Sequence, residues 1–335
     1  MRLFLAALLL SYAPATELCR FADPRIDESS GVSASSRTDD WFFTHNDSGD
    51  SARFFAVDRT GATLAVFEVD DADADDWEDM ARGRNEGRPV LFLGDIGDNF
   101  RRRQSVVVYE VLEPRPKEGN AALKVLRRHE LRYEDGPHDA ETLLVHPRDG
   151  RIWVVTKERD GVAGVYFAEA GTLRRQGDVR LDALVRRPGT YARAVTSGEI
   201  RADGRKVVLR TPFEAFEWTI DNDVAAAFAG PPLRIPLPST EQGEAIAYTR
   251  YGGSLLLTTE GRGAPVHLVE GTELADPNHL QPAEPLELPP DEPGPPVWPR
   301  VVALVVSVVG GLYVRARRGR RQRRHRPPPR RPRSA

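Results

Sequence analysis

Cysteine is almost absent from this chain of 335 residues. Cys19 stands alone, so no disulfide can close within the chain and a disulfide-stapled scaffold is excluded. No Gly-x-Ser-x-Gly elbow occurs, and the lone thiol lies near the start of the chain, so serine and cysteine hydrolases have little support. No amphipathic helical period of useful length interrupts residues 16–285, which excludes a helical bundle. Residues 315–335 contain eleven arginines and no acid. Setting those aside with Arg2 and Arg300 turns the formal net charge of −3 into about −16 for the body between. An acidic body repels phosphate, which argues against nucleic acid as a partner.

The two ends read as addresses rather than as fold. Met1 and Arg2 precede the apolar run Leu3–Leu10 and an Ala-x-Ala site at Ala13–Ala15, the pattern of a secretory signal peptide over residues 1–15. Residues 286–299 form a Pro-rich linker, and an uncharged apolar stretch follows. Counted over 297–314 it approaches the roughly 20 residues that a bilayer demands, with Trp298 and Arg300 suited to the interface. The arginine block behind it marks the cytoplasmic side. The expectation is a single-pass membrane anchor, a transmembrane helix at 297–314, with the body extracytoplasmic and the basic tail at 315–335 inside.

Between those ends the chain repeats itself. Five segments begin alike: Ser30-Gly31-Val32, Glu78-Asp79-Met80-Ala81, Glu141-Thr142-Leu143, Thr196-Ser197-Gly198-Glu199 and Glu244-Ala245-Ile246. Each is followed by a turn and a second apolar strand; Asp149-Gly150 and Asp203-Gly204 are strong hairpin signals. Third strands follow, and fourth strands are visible at Thr63–Val69, Leu126–Tyr133, Thr172–Leu181 and Leu233–Leu237. Four short antiparallel strands per unit of about 50 residues is the signature of a β-propeller. The spacing predicts an all-β propeller of five blades over residues 16–285, or six if a long insertion hides one. Glu17–Ala22 is the candidate strand to complete the last blade and close the ring.

In a propeller the start of the first strand and the end of the second lie at one mouth of the central channel. That geometry gathers Glu78, Glu141 and Glu244 with Thr196, and adds Asn46, Asp95 and Lys157 from the ends of second strands. These seven are the candidate ligand-binding residues. Asn46, Glu78, Asp95, Glu141 and Glu244 also form a hard-oxygen set suited to Ca²⁺ or Mg²⁺. Asp47-Ser48-Gly49-Asp50 and Asp95–Asn99 lack the spacing of an EF-hand and read as Asx-stabilised turns.

Several short motifs carry a resemblance. Glu28-Ser29-Ser30-Gly31-Val32, His45-Asn46-Asp47-Ser48-Gly49, Asp76-Trp77-Glu78-Asp79-Met80-Ala81, Gly94-Asp95-Ile96-Gly97-Asp98-Asn99, His138-Asp139-Ala140-Glu141 and Gln242-Gly243-Glu244-Ala245 together resemble exported bacterial β-propeller proteins of unknown function. More distantly the chain is similar to the SdiA-regulated, esterase-like phytase and SMP-30/gluconolactonase propellers. The resemblance covers roughly residues 19–272 and implies fold and location more than chemistry. The gluconolactonase relatives imply one divalent ion at the channel, held here by Glu78, Glu141, Glu244, Asn46 and Asp95. Lys157, a cation at the same rim, departs from that pattern. The resulting expectation is a membrane-anchored extracytoplasmic propeller that binds a small-molecule ligand or protein partner at its polar mouth. The alternative is a divalent-metal-dependent hydrolase of a phosphoester or lactone.

Overall fold

The repeated starts are the innermost strands of five sheets, and their composition suits a crowded axis. Ser29–Ala34 (β2), Ala140–Val145 (β10), Ser197–Ile200 (β14) and Gly243–Tyr248 (β18) are buried at every position, as are the first seven residues of Trp77–Asn85 (β6). The computed structural model describes residues 12–271, apart from 48, 190, 236 and 239–241.

Each inner strand opens a four-stranded antiparallel blade. Blade 1 continues through Trp41–Asn46 (β3), Arg53–Asp58 (β4) and Thr63–Asp70 (β5). Blade 2 continues through Arg88–Asp95 (β7), Val106–Leu112 (β8) and Ala121–Tyr133 (β9). Blade 3 adds Ile152–Thr156 (β11), Val162–Glu169 (β12) and Thr172–Arg180 (β13). Blade 4 adds Lys206–Arg210 (β15), Ala215–Thr219 (β16) and Leu233–Ile235 (β17). Blade 5 has Ser254–Thr259 (β19) and Pro265–Glu270 (β20), and its outer strand is the N-terminal Thr16–Arg20 (β1).

The inner strands neighbour one another in the cyclic order β2, β6, β10, β14, β18 and back to β2. Five apolar clusters fill the five gaps between blades. Phe43, Phe54, Trp77 and Tyr109 lie between blades 1 and 2, and Phe92, Leu143 and Tyr166 between blades 2 and 3. Trp153, Leu209 and Trp218 join blades 3 and 4, Ile235, Tyr248 and Leu257 join 4 and 5, and Val32, Phe55, Ala247 and Val266 join 5 and 1. The core is therefore a ring of sheet-on-sheet contacts, and the fold is a β-propeller.

Closure by the N-terminal strand removes the open edge that β20 would otherwise present. Close approach at one glycine permits it. Gly61 has φ +89°, and a Cβ there would stand 1.8 Å from the Arg20 carbonyl oxygen of the closing strand. Cys19 is buried in that same strand; burial first, then the neighbouring Asp58 carboxylate, push its thiol up to about 11.

The fourth strand of blade 2 differs from the expectation of Leu126–Tyr133. It begins at Ala121, and Ala121–Lys124 pair in parallel with β5 of blade 1. At its other end Arg132 and Tyr133 pair in parallel with β13 of blade 3. One edge strand thus straps three blades. Its extra length answers to edges supplied by other blades, which no local pattern announces.

Among the described residues, no helix is long and apolar enough to cross a membrane. The expected signal peptide falls largely on residues 1–11, and the expected linker, span and tail fall on 286–335. Those segments lie outside the described residues.

Candidate functional site

The mouth of the channel is built by β-bulges. In β2 the register passes from Ser29 opposite Asn46 to Gly31 opposite His45, leaving Ser30 as the extra residue. In β6 the extra residue is Glu78, in β10 it is Glu141, and in β18 Glu244 and Ala245 together face Thr258. A bulge adds a residue to one strand and re-aims its side chain, a device common beside functional sites. Only blade 4 keeps an unbroken register, and there Thr196 stands one residue before the strand. The two hydroxyl positions serve the neighbouring bulges. Ser30 Oγ donates to the Glu78 carbonyl at 2.7 Å, and Thr196 Oγ1 donates to the Glu244 carbonyl at 2.9 Å. Thr196, expected as a ligand residue, spends its hydroxyl as a link between blades 4 and 5.

Below the mouth the channel is filled by polar side chains with partners. The Asp79 carboxylate accepts from the backbone N–H groups of Met80 at 2.9 Å and Leu143 at 3.0 Å. Ser197 Oγ donates to it at 3.2 Å and in turn accepts from the Ile246 N–H at 3.1 Å. One aspartate therefore ties blades 2, 3 and 4, and its serine adds blade 5. On the far side Arg82 pairs with Glu199 at 3.2 Å and donates to the Tyr248 and Thr249 carbonyls at 3.0 Å. Burial still holds the Asp79 carboxyl well above the usual carboxylate range, against the pull of its donors.

The expected site residues divide by what holds them. The Asn46 amide donates to the Arg25 carbonyl at 2.7 Å and to Asp50 at 2.9 Å, so it fastens a loop. Asp95 pairs with Arg103 at 2.7 Å and accepts from the Asp76 N–H. Glu141 forms an ion pair with Lys157. The chain thus supplies its own cations to two of the five residues expected around one ion, and backbone and loop partners to a third. Asp98 accepts from the Arg103 N–H and Asp139 from the Asp98 N–H, as expected for turn-fastening carboxylates. His138 bonds Asp135 and the Tyr166 hydroxyl at 3.0 Å each, a loop cluster beside the mouth rather than on its axis.

Glu78 and Glu244 remain. They are 3% and 5% exposed. The nearest donor to the Glu78 carboxylate is Ser30 Oγ at 3.5 Å, and that hydroxyl's single hydrogen is already committed to the Glu78 carbonyl at 2.7 Å. Burial, then Asp47 and Asp76, hold the Glu78 carboxyl well above the usual range, while Lys157 opposes the rise. Burial and the neighbouring Glu260 push Glu244 up to about 7, against Arg210 and Lys157. Asp76, the first residue of the motif that contains Glu78, is pushed up to about 6 by burial and then by Asp47 and Asp139. Asp47, Asp76 and Glu78 each place a carboxylate oxygen within 4.8 Å of the others, and of these only Glu78 belongs to the ion-binding set expected from sequence. Beside them an open polar hollow of about 430 Å³ is lined by Asn99, Arg101, Asp139, Lys157, Glu158 and Asp160 among others.

Sequence reasoning missed Asp76 and Arg103 as partners in this rim. A signal was present: Asp76 lies two residues before Glu78 in the strongest of the repeated motifs. Arg103 had none, because its pairing with Asp95 is made by the path of an irregular loop.

Compared with models of protein families and with curated proteins, the sequence matches none. Among solved structures, "Structure of U3-55K" is similar at TM-score 0.41 and 10% identity, over 78% of this chain and 99% of that one. "Crystal structure of RRP9 WD40 repeats" is similar at TM-score 0.41 and 10% identity, over 78% of this chain and 98% of that one. Identity this low carries no residue from those chains to this one.

Proposed function

We propose that this chain is a membrane-anchored extracytoplasmic propeller whose acidic channel mouth binds a ligand or protein partner through a positively charged group. What carries the reading is the contrast within the channel. Among the described residues Glu78 and Glu244 are nine-tenths buried at the mouth without a committed donor, whereas Asp79 and Ser197 beneath them are hydrogen-bonded. Burying a carboxylate without a partner is unfavourable, so a cationic guest has free energy to gain there. The signal-like start, the apolar stretch at 297–314 and the arginine block support the location. The hydrolase reading requires an open ion on the channel axis among Glu78, Glu141 and Glu244. The Glu141–Lys157 ion pair stands at that place, so the binding reading is preferred.

The test is calorimetric titration of the full chain with spermidine and with a short lysine-rich peptide, beside a Glu244→Gln variant. Binding that weakens in the variant and with added salt is the expected result. Equal response of both proteins, or none from either, overturns the cationic-guest reading.

A further inference from the structure

We propose that Asp47, Asp76 and Glu78 form a divalent-cation site of the Ca²⁺ type at the edge of the mouth between blades 1 and 2. The inference rests on the reading of the mouth as a binding surface and names one guest for it. Three carboxylates supply oxygens that all lie within 4.8 Å of one another. Two ligands on opposite sides of one Ca²⁺, each at about 2.4 Å, would stand about 4.8 Å apart, so the trio fits within one coordination sphere. The donors are all carboxylate oxygen, which suits a hard cation rather than Zn²⁺.

Proximity of acids alone would be weak support; the state of Glu78 adds to it. The residue is 3% exposed, its carboxylate is directed into the trio, and its contact with Ser30 Oγ is a long 3.5 Å because that hydroxyl is committed to the Glu78 carbonyl at 2.7 Å. Nor does an arginine or lysine among the described residues reach Asp76 or Glu78 as an ion pair. Arg103, the cation next in the loop, pairs with Asp95, and Lys157 pairs with Glu141. A buried carboxylate whose one donor contact among the described residues is a shared hydroxyl at 3.5 Å, with no cation paired to it and two more carboxylates against it, is the arrangement a bound cation completes.

Gly97 shapes the same place. Its N–H donates to the Asp76 carbonyl at 3.1 Å, holding the loop against the acids. A Cβ at Gly97 would lie 2.5 Å from both Asp76 Oδ2 and Glu78 Oε1. An alanine there intrudes on two of the three ligand carboxylates without altering any charge. Ligands drawn from one loop, one strand approach and one bulge do not impose the strict octahedron that Mg²⁺ demands, so Ca²⁺ is expected to be preferred.

Trp77, fully buried between Asp76 and Glu78 in sequence, provides a reporter. The experiment is titration of the full chain with Tb³⁺, followed by its emission under tryptophan excitation, then displacement by Ca²⁺ or Mg²⁺. Calorimetry with Ca²⁺ runs beside it on wild type, Asp76→Asn, Gly97→Ala and Trp77→Phe. The expected result is one site per chain, displaced more readily by Ca²⁺ than by Mg²⁺. Affinity should fall roughly tenfold or more in Asp76→Asn and Gly97→Ala. In Trp77→Phe the Tb³⁺ signal should be lost while Ca²⁺ affinity persists. Absence of Ca²⁺ binding to wild type, or affinity unchanged in both folded site variants, overturns the proposal. Failure of Ca²⁺ with spermidine still bound would remove this ion site and leave the mouth reading standing; Ca²⁺ binding with no response to spermidine or the peptide would overturn the mouth reading and leave the ion site alone.

Discussion

Glu78 and Asp79 are neighbours in sequence, both are buried acids on the innermost strand of blade 2, and the fold treats them oppositely. Asp79 points into the channel, where three backbone N–H groups, of Met80, Leu143 and Gly198, and a serine hydroxyl converge on it from three blades. Glu78, lifted out of register by the bulge, points to the mouth, where it meets two more acids and no committed donor. The carboxyl group of one is a structural rivet, and that of the other is an unfavourable feature that folding alone does not explain. Burial and charge are the same in kind at both positions; the supply of donors separates them.

The largest effect is expected at the rivet. Asp79→Ala strands the Leu143, Met80 and Gly198 N–H groups and the Ser197 hydroxyl, and should lower stability by roughly 4 kcal/mol or more in denaturant unfolding, at about 1–3 kcal/mol for each buried group left unpaired. A loss under about 1 kcal/mol would dissolve the contrast by showing that donors to a buried acid matter little here.

Lys157→Met probes the rim residue that does have a partner. It leaves Glu141 buried beside other acids, and a loss of roughly 3 kcal/mol is expected, because removing one member of a buried ion pair leaves the other uncompensated. A neutral result would place Glu141 with Glu78 among the unpaired acids.

Glu244→Gln should act in the opposite direction and depend on pH. Its folded-state pKa, about 7, lies above the ordinary 4.5. The stability associated with its protonated form is full below about pH 4.5 and is lost as the pH rises through 7. The neutral variant should therefore exceed wild type by up to about 3 kcal/mol near pH 8, since each pH unit separating the two values is worth ~1.36 kcal/mol. That advantage should shrink toward zero as the pH falls to about 4.5, which thermal unfolding across the range would reveal.

The ring of blades was legible because its signals are local. Repeated starts, hairpin turns at Asp149-Gly150 and Asp203-Gly204, and apolar second strands mark each unit, and Glu17–Ala22 announced the closing strand that the structure forms from Thr16–Arg20. The site was legible only in part. Counting from strand starts brought Glu78, Glu141 and Glu244 to equivalent places, yet nothing in their sequence shows that a bulge isolates each one. Which acids keep their charge unpaired depends on Lys157 and Arg103, and these reach their partners by loop paths that periodicity does not encode. The strap formed by Ala121–Tyr133 was underestimated for the same reason: its additional pairing comes from neighbouring blades.

The most direct measurement compares the two neighbours side by side. Glu78→Gln and Asp79→Asn each replace a buried carboxyl by an amide of almost the same shape; at Asp79 the new amide NH₂ faces backbone N–H groups that both carboxyl oxygens now accept from, and thermal unfolding of both at about pH 8, in chelator and without added guest, reads the difference. The account predicts that Asp79→Asn melts well below wild type while Glu78→Gln melts at or above it. A Glu78→Gln protein as destabilised as Asp79→Asn would contradict it, because Glu78 would then be a structural acid like its neighbour.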